Sequence, residues 1–110
     1  MSEVLDAAVL DDLAEHIGAE GARAVIQLFL GECDNLTATM AAPGATRSVI
    51  GRAAHSLKSS AGQLGARALS EAALAVESAA GTGSPELPQL VTTLAECAAL
   101  TKIALAAWLA

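Results

Sequence analysis

Apolar positions between Ala22 and Met40 recur in steps of three and four: Ala22, Val25, Ile26, Phe29, Cys33, Leu36 and Met40 fall on one side of a helix that turns about 100° per residue. Ile50, Ala53, Leu57, Ala61 and Leu64 form a second stripe of the same kind. Caps and breakers divide the chain into five helical segments. Asp6 caps a short first helix to about His16, where Gly18 stops it, and a second runs from about Glu20 to Met40 and ends at Pro43-Gly44. Thr46 caps a third helix through Leu64, Gly65 punctuates it, and a fourth spans about Ala66 to Ala80. The loop GTGSP at 81–85 precedes a fifth helix from Glu86 or Pro88 to Trp108. This pattern predicts an all-α fold: an antiparallel up-and-down four-helix bundle with a short extra N-terminal helix, in a single domain over residues 1–110.

Composition narrows the core. Apolar residues make up 54% of the chain, with one Phe, one Trp and no Tyr, so Ala, Leu, Val and Ile must fill the interior, with Phe29 and Trp108 as its aromatics. Cys33 and Cys97 have no CxxC partner and fall within apolar helical patterns, which reads as two buried reduced thiols and fits a cytoplasmic protein. No basic-plus-apolar leader precedes Val4, and no run approaches the roughly 18 uncharged residues of a membrane span. The terminal IALAAWLA reads as the buried last turns of a helix.

The net charge of -6 discourages non-specific binding to nucleic acid or to anionic membranes. It also hides a segregation. Arg47, Arg52, Lys58 and Arg67, four of the six cations, lie in the acid-free interval between Asp34 and Glu71, which points to a partner or ligand of negative charge.

His55 lies in that interval. On the helical wheel it points away from the stripe of Ile50, Ala53, Leu57, Ala61 and Leu64. Its neighbours one turn away are Gly51 and Ser59, and two turns away Ser48 and Gly62, all small. Each helix-interior glycine costs about 1 kcal/mol relative to alanine, so Gly51 and Gly62 are read as clearing the surface around the ring rather than as packing positions. Arg52 and Lys58 flank His55 at three residues on either side. An accessible imidazole nitrogen beside positive charge can hold a phosphoryl group. The chain has no phosphate-cradling glycine loop and no acidic cluster for Mg²⁺, so that group must arrive on another protein. No residues have metal-ligand spacing. His16 reads as a cation at the end of the first helix, favoured there by the helix dipole.

The stretch AAHSLKSSAGQLGA at 53–66 resembles the signature of the histidine-containing phosphotransfer (HPt) domain family, His-x-Leu-Lys-Gly with a further glycine some ten residues after the histidine. His55, Leu57, Lys58 and Gly65 match, and Ser59 stands where the family commonly has glycine. The short first helix, Phe29 and the chain length also fit the family outline.

The resemblance implies a phosphocarrier rather than an enzyme, a monomer relaying phosphoryl groups between aspartates of response-regulator receiver domains by way of His55. It implies Lys58 as the phosphoryl-stabilising cation, Gln63 as a polar amide near the histidine and Ser59 as a small packing position. Mg²⁺ is expected on the receiver and no cofactor on this chain. Arg52 and Arg67 either steer an acidic receiver or serve solubility. Sensor-kinase dimerisation helices also carry a phosphorylated histidine, but there an acidic residue commonly follows it and a proline comes soon after. Here Ser56 follows His55 and the next proline is Pro85, which favours transfer over autophosphorylation. The alternatives are a bundle that binds a receiver as a scaffold without being phosphorylated, and a piece of a larger hybrid kinase.

Overall fold

The computed structural model describes residues 3–110, which form α1 (Ala7–Ala41), α2 (Arg47–Gln63), α3 (Arg67–Thr82) and α4 (Leu87–Leu109). The local signals act where they stand in the sequence. The Asp6 carboxylate accepts the Ala8 amide at 3.1 Å, and the Thr46 hydroxyl accepts the Val49 amide at 3.2 Å, each satisfying a helix N–H that has no partner within its helix. Gly83, in the left-handed region at φ 69°, ends α3.

The first two predicted helices are two arms of α1. Gly18 takes φ 82° and ψ 165° and breaks the helical geometry where the sequence places a stop, and the chain resumes its helix at once, so the two segments meet at a kink.

The helices pack in a ring. α1 lies against α2, α2 against α3, α3 against α4, and α4 closes on α1. Connections at 42–46, 64–66 and 83–86 are too short for anything but antiparallel neighbours. The core runs along the centre, with Ile26, Leu57, Leu69, Val76, Leu94 and Leu105 fully buried beside Phe29 and Cys33. Buried alanines, among them Ala53, Ala54, Ala73 and Ala80, let the axes come close where larger side chains would hold them apart.

α2 and α3 form the tightest seam, and its register is plain. A Cβ on Gly51 would sit 3.4 Å from Ala80 Cβ, and one on Gly62 would sit 3.5 Å from Ser70 Oγ, so eleven steps forward on α2 match ten steps back on α3. Both are ordinary contact distances, so the seam itself would take an alanine at either position, while Gly62 is exposed and Gly51 lines the groove beside His55. The Ser70 hydroxyl donates to the Lys58 carbonyl across the same seam at 3.0 Å.

The turn between α2 and α3 explains Gly65. The Ala66 amide reaches the Ala61 carbonyl at 2.9 Å and the Gly65 amide reaches that of Gly62 at 3.2 Å, the two bonds of a Schellman C-cap. Gly65 takes φ 75°, and a Cβ there would lie 2.9 Å from both the Asp6 carbonyl oxygen and Val9 Cβ. The N-terminal arm of α1 crosses this end of the bundle. Asp6 donates its amide to the Gly65 carbonyl at 2.7 Å, and its carboxylate pairs with Arg67 at 3.1 Å.

Two further expectations change in detail. Trp108 is only half-buried and donates its Nε1 proton to Asp11 at 3.2 Å, fastening the end of α4 to the N-terminal arm. α4 is long and apolar enough, with mean hydropathy 1.5, to cross a membrane by length and composition alone. A search for uncharged runs misses it because Glu96 and Lys102 interrupt the apolar stretch. In the bundle α4 turns Leu94, Ala98, Thr101 and Leu105 inward, and leaves Leu100 and Ile103 exposed.

Candidate functional site

The stripe of α2 fixes the direction of His55. Ile50, Ala53, Leu57, Ala61 and Leu64 are all buried, which turns the opposite face of the helix to solvent and leaves the His55 side chain 62% exposed. Ser48, Ser59 and Gly62 are exposed, so nothing on its own helix covers the ring. Ser59 lies at the surface rather than at a packing position.

The antiparallel seam then brings Glu77 of α3 to His55. One carboxylate oxygen, Oε2, lies 2.6 Å from His55 Nδ1, and the other, Oε1, accepts from Lys58 Nζ at 2.6 Å. Glu77 is 28% exposed and Lys58 29% exposed. The Lys58 ammonium first, and the His55 imidazole second, hold the Glu77 carboxyl below the ordinary carboxylate range, so it is ionised at neutral pH.

An ionised carboxylate can only accept hydrogen bonds, so Nδ1 carries the proton and donates it to Glu77. In the neutral ring, Nε2 then keeps its lone pair, with no hydrogen-bond partner among the described residues. This is the arrangement of an oriented nucleophile: one nitrogen anchored, its tautomer fixed, the other free.

The sequence reading missed Glu77, which comes from another helix. It assigned the polar neighbour to Gln63, which lies two turns beyond His55 and lines the groove between α1 and α2 with Leu13, Val25, Leu28 and Phe29. Leu28 is the most exposed large apolar side chain of that groove, at 76%. Glu32 of α1 accepts from the Ser60 hydroxyl at its edge.

The four cations of the acid-free interval part company. Arg67 pairs with Asp6 at the far end of α2, and Lys58 pairs with Glu77. Arg47 and Arg52 line a groove between α2 and α3 with Ser48, Gly51, His55 and Ser56. His55 therefore stands on a ridge, with a groove that holds Arg47, Arg52 and Glu77 on its α3 side and, further along α2, an apolar groove on its α1 side.

Elsewhere, His16 is exposed and its Nδ1 donates to the Asp12 carbonyl at 2.8 Å, one turn back along its own helix. Cys33 is buried, and burial pushes its thiol up to about 11; Cys97 is only half-buried, and its thiol is also raised by burial. Both cysteines are free.

Comparison with known proteins bears on the family. No curated protein and no solved structure matches the chain. The family model of the Hpt domain matches residues 24–107, which hold α2, α3, nearly all of α4 and the longer arm of α1. A four-helix bundle matched over most of its length by that model settles the family: the chain belongs to the Hpt domain family, whose members serve histidine phosphotransfer in phosphorelays.

Proposed function

We propose that this protein accepts a phosphoryl group on His55 Nε2 from the aspartyl phosphate of one response-regulator receiver domain and passes it to the aspartate of another. The observation that carries this reading is the exposed imidazole whose Nδ1 is held by an ionised carboxylate, leaving Nε2 as the free nucleophile.

The transfer follows from that geometry. The Nε2 lone pair attacks phosphorus, the N–P bond forms, and the P–O bond to the receiver's aspartate breaks with its electron pair returning to the carboxylate. No proton has to leave Nδ1. The ring becomes cationic as the bond forms, and Glu77 already faces it with a negative charge, so the group that fixes the tautomer also balances the product. Lys58 keeps Glu77 ionised and brings positive charge within one turn of the ring, which suits it to the phosphoryl oxygens once they arrive. The reverse reaction uses the same groups.

The aspartyl phosphate, Mg²⁺ and the remaining catalytic groups come with the receiver, and the chain works as a monomeric phosphocarrier in the cytoplasm. The receiver docks over the ridge, with Leu28, Val25 and Leu13 as the apolar centre of a small, quickly released interface. The experiment is incubation with a radiolabelled phosphorylated receiver. Label that is acid-labile and base-stable on the wild type, and gone in His55→Gln, is the expected result. Stable complex formation with no transfer would leave a receiver-binding scaffold in its place.

A further inference from the structure

Arg52 and Lys58 stand one helical turn before and after His55, and the fold treats them differently. Lys58 is matched by Glu77. Arg52 is exposed and has no ion-pair or hydrogen-bond partner among the described residues. Acids are not scarce, since the chain carries twelve against six cations, and other cations find oxygen partners: Arg67 with Asp6, Lys102 with Asp34 and Arg23 with the Leu109 carbonyl.

Arg47, the other cation of the groove, likewise has no ion-pair or hydrogen-bond partner among the described residues, and its guanidinium lies against Gly83 at the end of α3. Of the two, Arg52 stands one helical turn from His55 and Arg47 two, so Arg52 is the unpaired cation nearer the ring. Gly51, Ala80 and Gly81, lining the same groove, are too small to obstruct its side chain.

Resting on the phosphotransfer reading, we infer that Arg52 binds the phosphoryl oxygens on His55 directly. Its planar fork of N–H donors fits two oxygens of one phosphoryl group, and a residue three positions away on a helix has its Cβ within about 6 Å of that of His55. The charges agree. The phosphoryl group brings nearly two negative charges and the ring one positive, while Glu77 and Lys58 cancel each other. The phosphorylated site is left about one negative charge from neutrality, and Arg52 supplies the missing positive charge.

The test isolates the phosphorylated chain after labelling by a receiver, removes the receiver, and follows the ³¹P resonance and the loss of phosphoryl to water. Arg52→Gln is expected to move the resonance and to shorten the lifetime about tenfold, because the cation holds charge on oxygens that loses density as the P–N bond loosens. Arg52→Lys is expected to recover part of the lifetime, and Arg47→Gln to match the wild type. An Arg52→Gln protein with the wild-type lifetime and resonance overturns the inference, even if a receiver delivers phosphoryl to it more slowly, since that result makes Arg52 a docking residue. A wild-type chain that takes no label overturns the phosphotransfer reading and this inference with it.

Discussion

Gly65 belongs to the motif around His55, yet its geometry assigns it to the fold, and the substitution Gly65→Ala separates the two roles. Its φ of 75° lies in the left-handed region, where an L side chain costs about 1–2 kcal/mol. The added Cβ would also lie 2.9 Å from the Asp6 carbonyl oxygen and from Val9 Cβ, closer than a carbon can sit, and one contact is backbone that cannot rotate away. Relieving that overlap moves the N-terminal arm off the α2–α3 turn, a further cost of about 1–3 kcal/mol by analogy with overpacked cores. The sum is roughly 2–5 kcal/mol, a large part of the ~5–15 kcal/mol that holds a domain together.

Urea unfolding followed by helical circular dichroism measures this loss. Gly31→Ala is the matched control: it sits mid-helix with open space around its missing Cβ, and is expected to stabilise by up to about 1 kcal/mol. At a temperature where it is folded, the Gly65→Ala protein is expected to accept phosphoryl at the wild-type rate. Stability within about 0.5 kcal/mol of wild type would refute the packing argument, and a folded variant that no longer transfers would move Gly65 into the chemistry.

Three further outcomes are expected. Glu77→Gln should slow phosphoryl acceptance by roughly 10–100-fold with little effect on receiver binding, as loss of an orienting partner does; unchanged rapid-quench kinetics would remove Glu77 from the site. Because the folded state depresses the Glu77 carboxyl, its contribution to stability is present above the unfolded carboxylate value and is lost as pH falls through the folded one. The stability difference between wild type and Glu77→Gln should accordingly be level at neutral pH and shrink on the acid side, and growth toward acid would contradict the assignment. Cys33, protonated and buried, should resist thiol reagents at mildly alkaline pH until denaturant is added, with Cys97 reacting sooner; immediate labelling of Cys33 in the native protein would show that its burial is wrong.

The orientation of His55 was legible in the sequence because it depends on one helix and one period: Ile50, Leu57 and Ala61 point inward, so position 55 points out. The ends of α2 were equally legible, since Thr46 and Gly65 act through neighbours a few residues away. Glu77 was not, because its meeting with His55 depends on the register of two helices. That register was nevertheless encoded in the turn: a tight hairpin centred at Gly65 folds position 55 onto the neighbourhood of 77, and Glu77 is the acid found there. The neighbours of Gly51 and Gly62 across the seam, Ala80 and Ser70, were hidden for the same reason, as a wheel shows which side a residue occupies but not which helix stands against it. Gly18 was legible too: its positive φ breaks the helix where the sequence placed the boundary, and the next helix starts within a residue in a new direction.

The most direct test of the account is the position of the phosphorus on the ring. With ¹⁵N-labelled histidine, ¹⁵N–³¹P correlation on the phosphorylated chain reads which nitrogen carries it. The account predicts a single P–N coupling at Nε2 of His55, with the proton retained on Nδ1 against Glu77; phosphorus on Nδ1, or on any other residue, would contradict it.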